Sequence, residues 1–202
     1  HYTDANAALS IIQNAELWLT DIRFMNDSEE SLDGTKYLMK AVSELLSESD
    51  ASLDRALERL KEFDVQYVKD GMIDEQVFVS SFSRTPDHLV QWRSYGLYAI
   101  EFHDSLQEQM KDFYPCYYDE HVKKVAAASF VNRTRQAIAL EYSRGERDWG
   151  TAVMEKMWKL ADFVNQFKHQ SFKDENEIRL IRLMSSHSKD INYRVRGNLV
   201  VQ

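Results

Sequence analysis

The run from Phe172 to Leu183 limits the possible folds more than any other stretch of the chain. Within it Ile178, Leu180, Ile181 and Leu183 are interleaved with Arg179 and Arg182. That pattern predicts a strand over 177–184 with at least one buried face. Side chains two apart on an extended chain point to the same side. Glu175 and Glu177 are therefore expected to present two carboxylates together at the mouth of the strand, with Arg179 next in the row. The plain alternative is a solvated acidic turn, Lys173 to Glu177, ahead of an ordinary strand. What else the sequence offers decides how much weight the pair carries.

A strand of this kind needs a sheet and a core, and the composition allows both. With 44% hydrophobic and 29% charged residues the balance is that of a globular chain, and 202 residues suffice for one sizeable domain. Two Pro and six Gly favour long regular elements over linkers. The lone Cys116 excludes an internal disulfide and suits a reducing compartment. No apolar run approaches the ~20 residues of a membrane-spanning helix and no signal peptide is visible, so a cytoplasmic location without membrane contact is expected. The net charge of −8 disfavours indiscriminate nucleic-acid binding, although Arg133, Arg135, Arg144 and Arg147 form a local basic cluster.

Along the chain, Thr3 is positioned to cap a helix carrying Ala8, Ile11, Ile12 and Ala15. Leu17 to Thr20 reads as a short strand. Two amphipathic helices are expected over 28–70, one with the stripe Leu38, Val42, Leu45 and Leu46, the other with Leu53, Leu57, Leu60, Tyr67 and Val68. Val77 to Ser83 is a strand by its β-branched and aromatic content. Thr85-Pro86-Asp87 predicts a helix start, and that helix, with Leu89, Trp92 and Tyr95, stops at Gly96. Leu97–Phe102 and Phe113–Tyr118 read as strands, with Pro115 at an edge or bend. Helices over 119–144 and 150–167 follow, joined by a turn at Gly145, and strands at 191–196 and 198–202 close the chain. Phe82, Trp92 and Tyr98 are expected in the core. The expectation is a single α+β domain whose sheet comes from three motif regions, with helical insertions at 28–70 and 119–167.

The three motifs are His1-Tyr2-Thr3, then Ser81-Phe82-Ser83 with Trp92 and Tyr95-Gly96, then Phe172 with Glu175, Glu177 and Arg179. Together they resemble a bacterial family known as a domain of unknown function, over nearly the whole chain. More remotely they are similar to the ADP-ribosyltransferase superfamily, in which a His on a strand, a second strand leading into a helix, and a Glu at the head of a third strand occur in this order. Two departures stand out. The His-Tyr-Glu branch carries Tyr on its middle strand, where this chain has Phe82. Ser81 and Ser83 instead match the Ser-x-Ser of the branch that begins with Arg, whereas here the first residue is His1.

The resemblance implies a split, antiparallel-rich sheet and transfer of ADP-ribose from NAD to a macromolecule, in a bacterial toxin or phage-defence effector. Breaking the nicotinamide glycosidic bond passes through an oxocarbenium-like transition state, which a carboxylate can stabilise. Glu177 would hold the ribose 2′-hydroxyl; Glu175 would orient the acceptor. His1, flanked by Tyr2 and Thr3, would bind the adenosine ribose. Tyr95 would stack on nicotinamide, Ser83 would make a polar contact, and Arg84 or Arg179 would grip the pyrophosphate. The implied partners are NAD, a protein or nucleic-acid acceptor, and an antitoxin or immunity protein; no metal is implied. Two other classes compete. One is a non-catalytic NAD-binding sensor or interaction domain of a defence system. The other is a metal-dependent nuclease using Asp162 or Asp174 with Glu177 and Arg179. His88, His103, His121, His169 and His187 show no zinc-site spacing, and there is no phosphate loop or nucleophile elbow.

Overall fold

The computed structural model describes residues 1–25, 28–47, 75–145, 151–196 and 199–201. It opens with β1 (Tyr2–Thr3), α1 (Ala5–Asn14) and β2 (Thr20–Asp21). The helix is capped one residue later than expected: Asp4, not Thr3, accepts the Ala7 amide at 2.9 Å, because Thr3 is taken into β1. Next come α2 (Ser28–Ser47) and β3 (Glu75–Ser83). The second helix expected in 28–70 lies outside the described residues. Then follow α3 (Leu89–Tyr95), β4 (Tyr98–Ala99), α4 (Ser105–Gln109) and β5 (Phe113–Pro115). The helical hairpin α5 (Glu120–Ser143) and α6 (Thr151–Val164) precedes a 3₁₀ turn, Gln170–Glu175, and β6 (Glu177–Ser185). The short strands β7 (Arg194–Arg196) and β8 (Leu199–Val201) pair with each other.

The strands β2, β5 and β7 are shorter than the expected 17–20, 113–118 and 191–196, and three further elements differ from the expectation. The helix foreseen from Thr85 starts at Leu89. The Tyr2 hydroxyl donates to the Thr85 carbonyl and accepts the His88 amide, both at 3.0 Å, which holds 84–88 as a bent loop. Asp87 there takes a left-handed conformation, φ 55°, and its carboxylate accepts from the Trp92 indole at 3.0 Å. The strand foreseen over 97–102 shrinks to the two residues that meet β1, and Tyr98 is 51% exposed rather than core. The α6 helix ends at Val164 rather than 167, because Asn165 and Gln166 turn their side-chain amides back onto the carbonyls of Ala161 and Asp162, at 2.8 and 3.0 Å.

The fold is mixed α+β, and among the described residues every strand pair is antiparallel. The main sheet has the order β2-β3-β6-β5. Its centre is the full-length pairing of β3 with β6, in which Ser83 faces Glu177, Ser81 faces Arg179 and Val79 faces Ile181. Alternation then gives the sheet two distinct faces. On one, Val77, Val79 and Ile181 pack with Ile22 and with Ala161 of α6. Beyond lies the larger core, in which Leu38 and Val42 of α2, Val131 and Ile138 of α5, and Leu160 and Phe163 of α6 enclose Phe167. On the other face Phe78, Ile178 and Leu180 are buried, and Phe82 meets the rings of His1, Phe102 and Phe113 at 5.2–5.5 Å. The α2 and α6 backbones touch at Gly34, where any Cβ would run into the Val164 carbonyl. Among the described residues no helix is long and apolar enough to cross a membrane.

Candidate functional site

The turn after α6 builds the site. Phe167 forms a parallel bridge with Tyr117, fixed by Tyr117 N–H to the Gln166 carbonyl (2.7 Å) and Lys168 N–H to the Tyr117 carbonyl (3.0 Å). That bridge drives Lys168 inward. The 3₁₀ turn follows, capped by His169 on the Ser171 amide, and Asn176 in a left-handed conformation (φ 45°) swings the chain into β6.

The result is a buried assembly of four charges. The Lys168 ammonium donates to Glu175 Oε2 at 2.6 Å and to Glu177 Oε2 at 2.5 Å. Arg179 Nε donates to Glu177 Oε1 at 2.7 Å, and its Nη1 reaches the Asn165 carbonyl at 2.8 Å. All four residues are buried. The two acids thus converge on a shared cation, although Glu175 ends the 3₁₀ turn and left-handed Asn176 separates it from Glu177, so their meeting does not come from the strand period that the sequence suggested. Burial alone would raise the Glu177 pKa, but Arg179 and then Lys168 outweigh it and hold the carboxyl down at about 2. The Glu177 amide donates to the Tyr118 hydroxyl at 2.8 Å, and burial pushes that phenol up. Phe172, the first residue of the third motif, lies with its ring 5.1 Å from the Lys168 ammonium.

Ser83 joins this assembly to the middle motif. Its hydroxyl donates to the Glu175 carbonyl at 2.6 Å and accepts the Thr85 amide at 3.0 Å, while the exposed Arg84 donates its backbone N–H to the Asn176 carbonyl at 3.0 Å. The first motif sits close by in sequence register but on the other face. His1 Nδ1 lies 2.8 Å from the Ser81 carbonyl, and its ring packs on Phe82. Since Phe82 and Ser83 are neighbours on one strand, their side chains point to opposite faces. The Glu177 carboxylate therefore lies on the helix-covered face and the His1 ring on the other, both at the end where β3 finishes and β6 starts. Tyr2 is buried edge-on against Trp92, ring centroids 4.8 Å apart, and Thr3 is buried beside it. Gly96, at φ 129°, lets the Thr3 backbone approach where a Cβ would collide with it. Tyr95 is exposed at the end of α3.

The structure thus brings Glu175, Glu177, Arg179 and Ser83 together, and it holds His1, Tyr2 and Thr3 as a second group across the sheet. Asp162 is bonded to the Tyr114 hydroxyl at 3.2 Å, and Asp174 is exposed in the 3₁₀ turn. Among the described residues no three His, Cys, Asp or Glu side chains are grouped to hold a metal. Lys168 is the member that sequence reasoning missed. Neither a protein-family model, nor a curated protein, nor a solved structure matches the chain.

Proposed function

We propose that the protein is an NAD-dependent ADP-ribosyltransferase on an ADP-ribosyltransferase-like split sheet, modifying a macromolecule as a bacterial toxin or phage-defence effector in the cytoplasm. The observation that carries this reading is the meeting of the second and third motifs. Ser83 stands opposite Glu177 and bonds the Glu175 backbone, with His1 two residues away on the Ser81 carbonyl. NAD lying across this end of the sheet would reach both faces. Its pyrophosphate would meet Arg84, and Tyr95 would cover the nicotinamide. Glu177 would then hold the ribose 2′-hydroxyl while the C1′–N bond breaks, its electron pair leaving on nicotinamide and the acceptor nucleophile bonding C1′ as it loses a proton.

This role needs one rearrangement. Both Glu177 oxygens are engaged, so the substrate has to take Lys168 or Arg179 away from them. A pyrophosphate, with charge-assisted bonds of its own to offer either cation, is suited to that exchange. The same saturation favours a second reading, a domain that binds NAD without turning it over.

Release of nicotinamide from labelled NAD, with and without bacterial lysate, separates the two. Wild type is expected to release it and Glu177→Gln to lose about 100- to 1,000-fold in rate. Full turnover by the variant would overturn the role of Glu177, and NAD binding without release by wild type would establish the non-catalytic reading. Activity that needs a metal and no NAD would point to nuclease chemistry.

A further inference from the structure

Away from that site, α5, α6 and β5 surround a groove of about 570 Å³, a size suited to a small molecule rather than a helix. Its floor is apolar. Phe130 and Phe163 stack at 4.2 Å with their planes 9° apart, and Val125 and Ala126 continue the stripe one turn earlier on α5. Val122 and Val125 leave 47% and 55% of their surface exposed along the rim. One end is basic: Arg133 lies one turn past Phe130, and Lys159 one turn before Phe163. Because the two Phe rings face each other across the antiparallel hairpin, Arg133 and Lys159 fall at the same end, and both line the groove. Neither forms an ion pair or hydrogen bond within the described residues. The hydrogen-bonded Tyr114 and Asp162 also line the groove, and the Asp162 carboxyl is pushed up to about 6, first by burial.

We propose that this groove binds a small amphiphilic anion, its aromatic or branched apolar body over Val125, Ala126 and Phe130 and its single phosphate, sulfonate or carboxylate between Arg133 and Lys159. The apolar floor gives the affinity and the paired cations fix the orientation. An uncharged ligand of the same shape loses the second term.

Calorimetric titration with 1-naphthyl phosphate and 1-naphthol tests this. Wild type is expected to bind the phosphate saturably at one site, about tenfold or more tighter than the naphthol. Arg133→Glu with Lys159→Glu, both exposed positions, should weaken the phosphate about tenfold or more and leave the naphthol unchanged, with the melting temperature preserved. Ala126→Trp, which fills the floor, should abolish both. Should the doubled variant melt early, Arg133→Gln alone replaces it, with a smaller loss for the phosphate only. The proposal is overturned if the phosphate shows no saturable binding below about 1 mM, or if it binds the charge-reversed or filled variant as tightly as wild type.

Discussion

Two carboxylates on the seam between sheet and helices meet opposite fates. Glu177 at the head of β6 is held at about 2, while Asp162, in the last turn of α6, is pushed up to about 6. Burial acts on both in the same direction, raising them. What separates them is the company delivered by the backbone. The strand period places Arg179 beside Glu177, and the Tyr117–Phe167 bridge forces Lys168 into the same space. Asp162 receives a neutral phenol at 3.2 Å, and Asp112 adds a like charge. A buried acid is thus stabilised as an anion or as a neutral group according to which side chains are brought within hydrogen-bonding distance, and depth alone does not decide it.

Removing the shared cation should have the largest effect. Lys168→Met leaves Glu175 and Glu177 facing each other without it, and urea denaturation at pH 7 should show a loss of about 3–5 kcal/mol. Adding Glu175→Gln to that variant should restore part of the loss. An equal loss in both variants would mean that the two acids do not share the lysine energetically, and the contrast with Asp162 would fail.

The pH dependence of stability should be smaller and of opposite sign at the two sites. Glu177, depressed from 4.5 to about 2, contributes stability that is present above 4.5 and lost as pH falls through 2. Asp162, raised from 3.8 to about 6, contributes stability that is present below 3.8 and lost as pH rises through 6. Asp162→Asn should therefore gain about 1–3 kcal/mol over wild type at pH 8 and nothing at pH 4. A gain independent of pH would assign the effect to packing. Smallest is Tyr114→Phe, expected to cost about 1 kcal/mol and to raise the Asp162 midpoint further in a carboxyl NMR titration, since the phenol's hydrogen bond lowers it. A fall in the midpoint would show that the phenol does not stabilise the anion.

The charged cluster was half legible in the sequence. Strand periodicity gave β6 and the place of Arg179 beside Glu177, whereas Glu175 reaches the cluster from the 3₁₀ turn, which the spacing did not show. Lys168 was hidden because 150–167 reads as an unbroken helix, after which a lysine belongs in water. Only the side-chain amides of Asn165 and Gln166, which end the helix early, and a bridge to a residue some fifty positions away bury it. The opposite-face placement of His1 and Glu177 was hidden for a related reason. Alternation along β3 is readable, but that His1 lies on Phe82 is a tertiary fact. The strands β2 and β4 read as 17–20 and 97–102 in the sequence but span two residues each, too few for alternation to set their bounds, and the loop after Thr85 has the residues of a helix start but is bent by the Tyr2 hydroxyl.

The pairing of β3 with β6 also sets a timetable for synthesis. Ser83 meets Glu177 across about ninety residues of chain, a separation that slows folding. At the ~5–20 residues per second of a ribosome, one edge of β3 waits several seconds or more for its partner to emerge. Until then Val77, Phe78 and Val79 sit on a strand that β2 can pair on one side only, its other edge open to any edge nearby. A nascent chain of this topology is a natural client for a chaperone, and stalling translation anywhere between the two strands should raise aggregation more than stalling after Ser185.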